Sequence, residues 1–407
     1  MVQKSYGYNP AGSLLIWGIG DIYFILAVMI SVLFAVLSPD IKTQLHLSNV
    51  QLGLLGSVFF LCYGIAQVFT GRFFDVFGSR WTLGVSALLA ASGLALMGIS
   101  NSFLLAMISK ALAGMGLSTS YIGAIYLADK WFPNERFAFF SGVTQMSANL
   151  LTAVLVIILA LKNSFMNFRY LMFILAFIIL LVAILMTLVV RDPSSKNPAR
   201  QETIDFLSAL RRLLKIKQYI LGLCYFTAGF GVLLALSDLW NIPAQIAYRH
   251  SSETSAMLNA MFPLGAGTGA LVSGWLADWM KRPTKIARFF ITGMIVLTGL
   301  LIYGPDFSTA TAFILLFVQG FFFGGAVLGF PIVSQYVPAA LKGMAFGFMA
   351  MCAYLLSAAL QLVIGWILSD VQLPLRAATI NDFQVALSPL FIVLVAGWVI
   401  SMGLRDK

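Results

Sequence analysis

The sequence predicts an all-α integral membrane protein of twelve transmembrane helices arranged as two six-helix bundles. Three observations carry this. Of 407 residues, 60% are hydrophobic and only 10% charged, whereas a soluble domain carries about 25% charged residues. Apolar runs of roughly 20 residues, each long enough to cross a bilayer as a helix, recur along the whole chain. A polar stretch, Gly71-Arg72-Phe73-Phe74-Asp75-Val76-Phe77-Gly78-Ser79-Arg80, returns near half the chain length as Gly274-Trp275-Leu276-Ala277-Asp278-Trp279-Met280-Lys281-Arg282, with the same Gly-to-Asp spacing. Alternation of period two is absent, which argues against a β-barrel.

In order, the expected spans are 13–37, 49–70, 81–100, 103–127, 136–160, 168–190, 218–247, 255–277, 286–304, 309–333, 343–367 and 381–403. The first follows Lys4 and exceeds a signal-peptide core, so it reads as a retained span. The Gly71–Arg80 stretch separates the second and third spans as a tight polar turn. Phe132-Pro133 opens the fifth span, and Gly142 follows; Val337-Pro338 and Gly347 repeat this at the eleventh, so the halves have the same orientation. Residues 191–217 form the long central segment. Two prolines interrupt its start, and Phe206, Leu207, Leu210, Leu213 and Leu214 lie at helical spacing among Arg211, Arg212, Lys215 and Lys217, the pattern of a surface amphipathic helix. The domains are therefore expected at 1–190 and 218–407, joined by the 191–217 linker. Cys62, Cys224 and Cys352 fall in apolar runs and read as buried thiols without a disulfide.

Lysine and arginine set the orientation. Lys42, Lys162, Arg169, Arg249 and Arg376 fall on one side and Lys110 inside a span, while the other 19 of the 25 fall on the side of the chain ends. Both termini and the central loop are thus expected in the cytoplasm, with the protein in the inner (cytoplasmic) membrane. The net charge of +10 is explained by topology and lipid contact, not nucleic acid.

Twelve spans in two like-oriented halves, a long central loop, and Gly-x-x-x-Asp-x-x-Gly-x-Arg between the second and third spans resemble the major facilitator superfamily across nearly the whole chain. The second copy of the motif is degraded, with Met280 and Lys281 replacing Phe77 and Gly78. The resemblance implies secondary transport by alternating access, two halves rocking around a midplane cavity. It also implies a latch. Gly71 and Gly78 permit a close turn, and Asp75 faces the N-terminus of the eleventh helix near Gly343, where free N–H groups favour an anion. Arg80 pairs with Asp129. These contacts would close the cytoplasmic side in the outward-facing state. The family's fourth span often carries an Arg followed four residues later by Gly, tied to proton coupling; here Lys110 and Gly114 occupy that spacing. The Gly-Pro motif of many drug–proton antiporters is missing from the fifth span.

Ionisable residues inside spans are costly and usually face a cavity or each other. They are Asp21, Lys110 and Asp238. Asp21 is the candidate to take up and release a proton or bind substrate, and Lys110 the candidate to couple or attract an anion, with Tyr121 on its face. The two are expected at different depths, flanking a ligand. Asp238, with Trp240 and Asn241 before a bend at Pro243, suits a substrate contact or an outer gate. Gln145 and Asn149 share a face of the fifth span. Gln319, Tyr354 and Gln361 complete the expected substrate contacts, each also suited to holding helices together.

The glycines of the spans are packing residues. No phosphate-binding loop, metal-ligand cluster or nucleophile–base arrangement stands out, so no cofactor, metal or enzymatic activity is expected. The reading is a monomeric proton-coupled transporter of a small polar organic solute, an amino acid or organic anion, with the bilayer, the solute and protons as its partners. An exporter of amphipathic compounds or a siderophore would exploit an aromatic cavity instead. A sensor with a transporter fold would bind without flux.

Overall fold

The computed structural model describes residues 10–132, 134–161, 167–192, 206–305, 307–338, 341–370 and 379–406, and the regular elements among them are helices. They are α1 (Pro10–Gln44), α2 (Asn49–Gly71), α3 (Val76–Ile99), α4 (Phe103–Trp131), α5 (Asn134–Leu161), α6 (Phe168–Val189) and the short α7 (Phe206–Leu214). They continue as α8 (Lys217–Ala247), α9 (Ser252–Met280), α10 (Pro283–Tyr303), α11 (Thr309–Ser334), α12 (Lys342–Ile367) and α13 (Ile380–Ser401). Eleven are long and apolar enough to cross a membrane, and α5 carries a shorter apolar stretch, Val143–Leu159. Most of the expected linker, 193–205, lies outside the described residues. In α7, Leu213 is buried against the membrane-spanning helices while Arg211 and Arg212 are exposed.

Two local expectations need correction. The first span does not end at 37 but runs through Pro39 to Gln44. Proline has no N–H for the carbonyl four residues back; the Ser38 hydroxyl donates to that carbonyl, Ala35 O, at 2.8 Å instead. The tight turn expected within Gly71–Arg80 is centred on a single residue. Helical hydrogen bonding continues from α2 into α3, and the break is concentrated at Gly78, with φ 73° and ψ 172°, a conformation open mainly to glycine. The cysteines are half-buried rather than buried.

The halves repeat each other in contacts as well as in sequence. Asp192, just after α6, accepts from Ser79 N at 2.8 Å. Asp406, just after α13, accepts from Thr284 N at 3.0 Å and Thr284 Oγ1 at 2.8 Å. An Arg-Asp pair at the end of each half thus caps the third helix of that half, supplying acceptors to otherwise unpaired N–H groups. Tyr23 of α1 donates to Gly116 O of α4 at 2.8 Å, and Tyr225 of α8 donates to Gly325 O of α11 at 2.8 Å. A Cβ at Gly114 would lie 2.4 Å from Phe59 O, and one at Gly320 would lie 2.2 Å from Phe262 O. Small residues at such points let backbones meet where lipid gives no hydrophobic drive.

Two seams join the halves. In one, α2 meets α12. Asn49 Nδ2 donates to Leu368 O at 2.7 Å, and Ser57 Oγ donates to Ala358 O at 2.6 Å. Gly53 and Gly56 lie against Gln361, and Gly64 against Met351 and Tyr354. In the other, Val32, Ala35 and Val36 of α1 join Ala153 and Val156 of α5, Ile242 of α8, and Ala256 and Ala260 of α9 in one apolar cluster. Both seams lie toward the face opposite the chain ends. Toward the face of the chain ends, a Cβ at Gly71, Gly274, Gly343 or Gly347 would meet nothing within 4 Å. Gly343, Gly347, Tyr354 and Gln361 follow one face of α12. That face touches α2 beyond Met351 and stands free before it. The halves are packed together toward one face, while toward the other these glycines border open space.

Candidate functional site

The closed seam and the open cleft meet near the midpoints of α1, α2, α8 and α12, and the buried polar residues gather around this junction. Asp238 is 3% exposed. It lies in a π-helical turn, Leu236–Trp240, just before Pro243, whose missing N–H and ring bulk disturb the preceding turn. Such bulges re-aim side chains and recur at functional sites. The Asp238 carboxylate accepts from Ser31 Oγ of α1 at 2.7 Å and from the neighbouring Ser237 Oγ, so it ties the two halves together. A polar chain continues behind it. Gln245 Nε2 donates to Asn241 Oδ1 at 3.4 Å, Asn241 Nδ2 to Asn259 Oδ1 at 2.8 Å, and Asn259 Nδ2 to Ser237 O at 2.9 Å.

Lys110 is 7% exposed. Its ammonium lies 3.6 Å from the Phe34 ring centroid and 4.7 Å from that of Phe59. It makes no hydrogen bond or ion pair among the described residues, and the aromatic faces provide its local stabilisation. A cavity of about 20 Å³, room for roughly one water, lies beside Lys110 between Phe34, Leu94, Met97 and Met172.

Asp21 stands elsewhere. It accepts from Ser147 Oγ of α5 at 3.1 and 3.4 Å and is ten residues along α1 from Ser31, about 15 Å. Asp21 and Lys110 make no hydrogen bond or ion pair with each other among the described residues. Tyr121 lies on α4 just after Ser118 and Thr119, its ring 5.0 Å from that of Phe24. Gln145 and Asn149 are half-buried on α5, and a Cβ on Gly267 would lie 3.4 Å from Asn149 Nδ2.

The remaining expected contacts sit inside helix packing. Trp240 is fully buried and its Nε1 donates to Gln361 O at 3.1 Å. Gln361 is fully buried, and neither amide atom has a partner among the described residues. Gln319 Nε2 donates to Thr298 Oγ1 at 3.1 Å. Tyr354 is half-buried with its ring 4.5 Å from Tyr63. Of the latch residues, the Asp75 side chain lies outside the described residues. Gly71 and Gly343 stand free. Arg80 lies over Trp81 at 5.5 Å and makes no ion pair with the exposed Asp129. In this arrangement the residue at the Gly78 break is Asp192.

Ser31, Ser147, Asn259, Phe34, Phe59 and Tyr63 were not among the sequence candidates. Asn259 carried a usable signal, an amide in an apolar run. The serines and phenylalanines are too common in such spans to stand out.

A family model described as Major Facilitator Superfamily matches residues 22–362. The membrane sensor protein UhpC of Salmonella typhimurium is 24% identical over 364 residues, 83% of this chain and 80% of that protein. The cis,cis-muconate transport protein of Acinetobacter baylyi is 24% identical over 353 residues, 81% of this chain and 83% of that protein. Among solved structures, a bacterial homologue of the human lysosomal transporter Spinster, described as inward-facing and unoccupied, superposes with a TM-score of 0.76 at 13% identity, over 97% of each chain.

Proposed function

The chain belongs to the Major Facilitator Superfamily, and on that premise we propose that it is a proton-coupled secondary transporter of a small organic anion, working by alternating access. The observation that carries the reading is Lys110. It is a buried cation without a hydrogen-bond acceptor among the described residues, held on two rings of α1 and α2. A buried ammonium without a hydrogen-bond acceptor is costly, and an arriving carboxylate or phosphate removes that cost. The cis,cis-muconate relative supports an organic anion as cargo. Asp21 and Asp238 are the acids available to carry a proton, and Tyr121, Gln145, Asn149 and Tyr354 are substrate contacts on the open cleft. With the chain ends in the cytoplasm of the inner membrane, as the charge bias favours, this arrangement is the inward-open state. In the outward-open state Asp75 would meet the N-terminus of α12 at Gly343. The domains are residues 1–190 and 218–407, and the protein works as a monomer.

The test is proton movement and solute uptake in reconstituted vesicles, offered pools of amino acids, organic acids and phosphorylated metabolites. Uptake of an organic acid with protons, lost in Lys110→Gln and uncoupled in Asp21→Asn or Asp238→Asn, is expected. Unchanged flux in Lys110→Gln removes the anion reading. The sensor relative supports a second reading, under which a pool stabilises the protein but none is moved.

A further inference from the structure

An unbroken line of aromatic rings leads from Lys110 across to the other half. The ammonium lies on Phe34 and Phe59. Tyr63 follows Phe59 at 5.9 Å, and Tyr354 of α12 follows Tyr63 at 4.5 Å. Phe230 of α8 meets Tyr354 edge-on at 6.2 Å, with an interplanar angle of 90°. Separations of this kind are those of favourable ring contacts. Tyr354 and Phe230 are half-buried and stand where the α2–α12 seam gives way to the open cleft. Both lie near the middle of their helices, hence near the membrane midplane.

The charges at this place are few. Several basic side chains at the span ends have acceptors: Lys42 donates to Asn49 Oδ1, Arg169 to Gly98 O, Arg288 to Leu404 O and Lys342 to Ser334 Oγ. Lys110 lies inside a span, buried, with no hydrogen-bond acceptor among the described residues. No arginine fork stands beside it to bind a phosphate in two places. A dianion would leave one charge unmatched.

We infer that the substrate is a flat, singly charged aromatic carboxylate, its carboxylate held at Lys110 and its ring lying along Tyr63, Tyr354 and Phe230. This rests on the organic-anion reading above and narrows it. Substrate enters from the open face and meets Tyr354 and Phe230 first; the Tyr63–Tyr354 contact then joins the ligand to both halves, so a ring there senses their relative position.

The experiment is equilibrium binding to the purified full chain, read by thermal stabilisation and tryptophan fluorescence, with benzoate, cyclohexanecarboxylate, terephthalate and glucose 6-phosphate as probes, alongside vesicle uptake of each. Benzoate is expected to bind roughly tenfold more tightly than cyclohexanecarboxylate, which has the same charge but no π face, and more tightly than either dianion. Tyr354→Leu should remove the preference for benzoate over cyclohexanecarboxylate while both still bind, and Tyr354→Phe should retain it. Tighter binding of glucose 6-phosphate or terephthalate than of benzoate overturns the inference, as does an unchanged preference in Tyr354→Leu. Uptake of another solute class with no benzoate binding overturns the aromatic assignment and leaves transport standing. Benzoate binding without uptake supports the aromatic assignment and overturns transport.

Discussion

Replacing Gly53 by alanine should push the protein toward its other conformation. A Cβ at Gly53 would lie 2.7 Å from Gln361 O and 3.4 Å from Gly365 Cα. Ordinary contact with the oxygen needs about 3.4 Å, so α12 must retreat by about 0.7 Å, and overpacking of this kind costs about 1–3 kcal/mol. The obstacle is carbonyl and Cα backbone of a helix held by Asn49, Ser57 and Trp240, so it cannot be relieved by a rotamer change. The cost exists only while the face opposite the chain ends is closed. In the alternative state this seam parts, and the extra methyl group is free or slightly helpful to the helix. A state-specific cost of 1–3 kcal/mol changes the population ratio about 5–150-fold. Spin-label distances between the ends of α2 and α12 at the closed face, measured in lipid, report that ratio. The expected result is a new, longer distance in Gly53→Ala. An unchanged distribution together with a normal unfolding temperature would refute the reasoning, because the seam would then have absorbed the methyl group at no cost.

Further outcomes follow from other contacts. Gly347→Leu should act in the opposite sense to Gly53→Ala: a side chain there has open space now but would obstruct closure of that face, so the same labels should show the present short distance enriched and vesicle uptake should fall. Asp192→Ala should cost about 1 kcal/mol by removing the acceptor at Ser79 N, as loss of a helix N-cap does, and the matching Asp406→Ala should cost a similar amount; thermal unfolding in detergent measures both. Tyr225→Phe, which leaves Gly325 O without its 2.8 Å donor, should destabilise by about 1 kcal/mol in the same assay. Ser31→Ala should loosen the contact between halves, since Ser31 Oγ is the donor to Asp238 from α1, and hydrogen exchange at the π-helical turn should rise relative to the rest of α8.

What the sequence determined was the membrane class, the count and approximate limits of the helices, the half-length repeat, and the short set of intramembrane charges. These are readable because they follow from composition and local order: an apolar run of the right length has few alternatives in a bilayer, and Asp21, Lys110 and Asp238 are conspicuous against apolar neighbours. Tertiary structure decided what each of those charges meets. Ser31 and Asp238 are 207 positions apart, and no local pattern marks one serine among many as the donor. The rings around Lys110 come from α1 and α2, and nothing in the order of residues distinguishes Phe34 and Phe59 from the other phenylalanines. Local order placed Tyr121 on the Lys110 face, but only the fold set its ring 5.0 Å from Phe24 of α1. The stripe of glycines on α12 was visible as small residues, but that its far part touches α2 while Gly343 and Gly347 stand free depends on how two rigid halves lean. That lean is set by the sum of many weak contacts along both seams, a quantity no single stretch of chain contains.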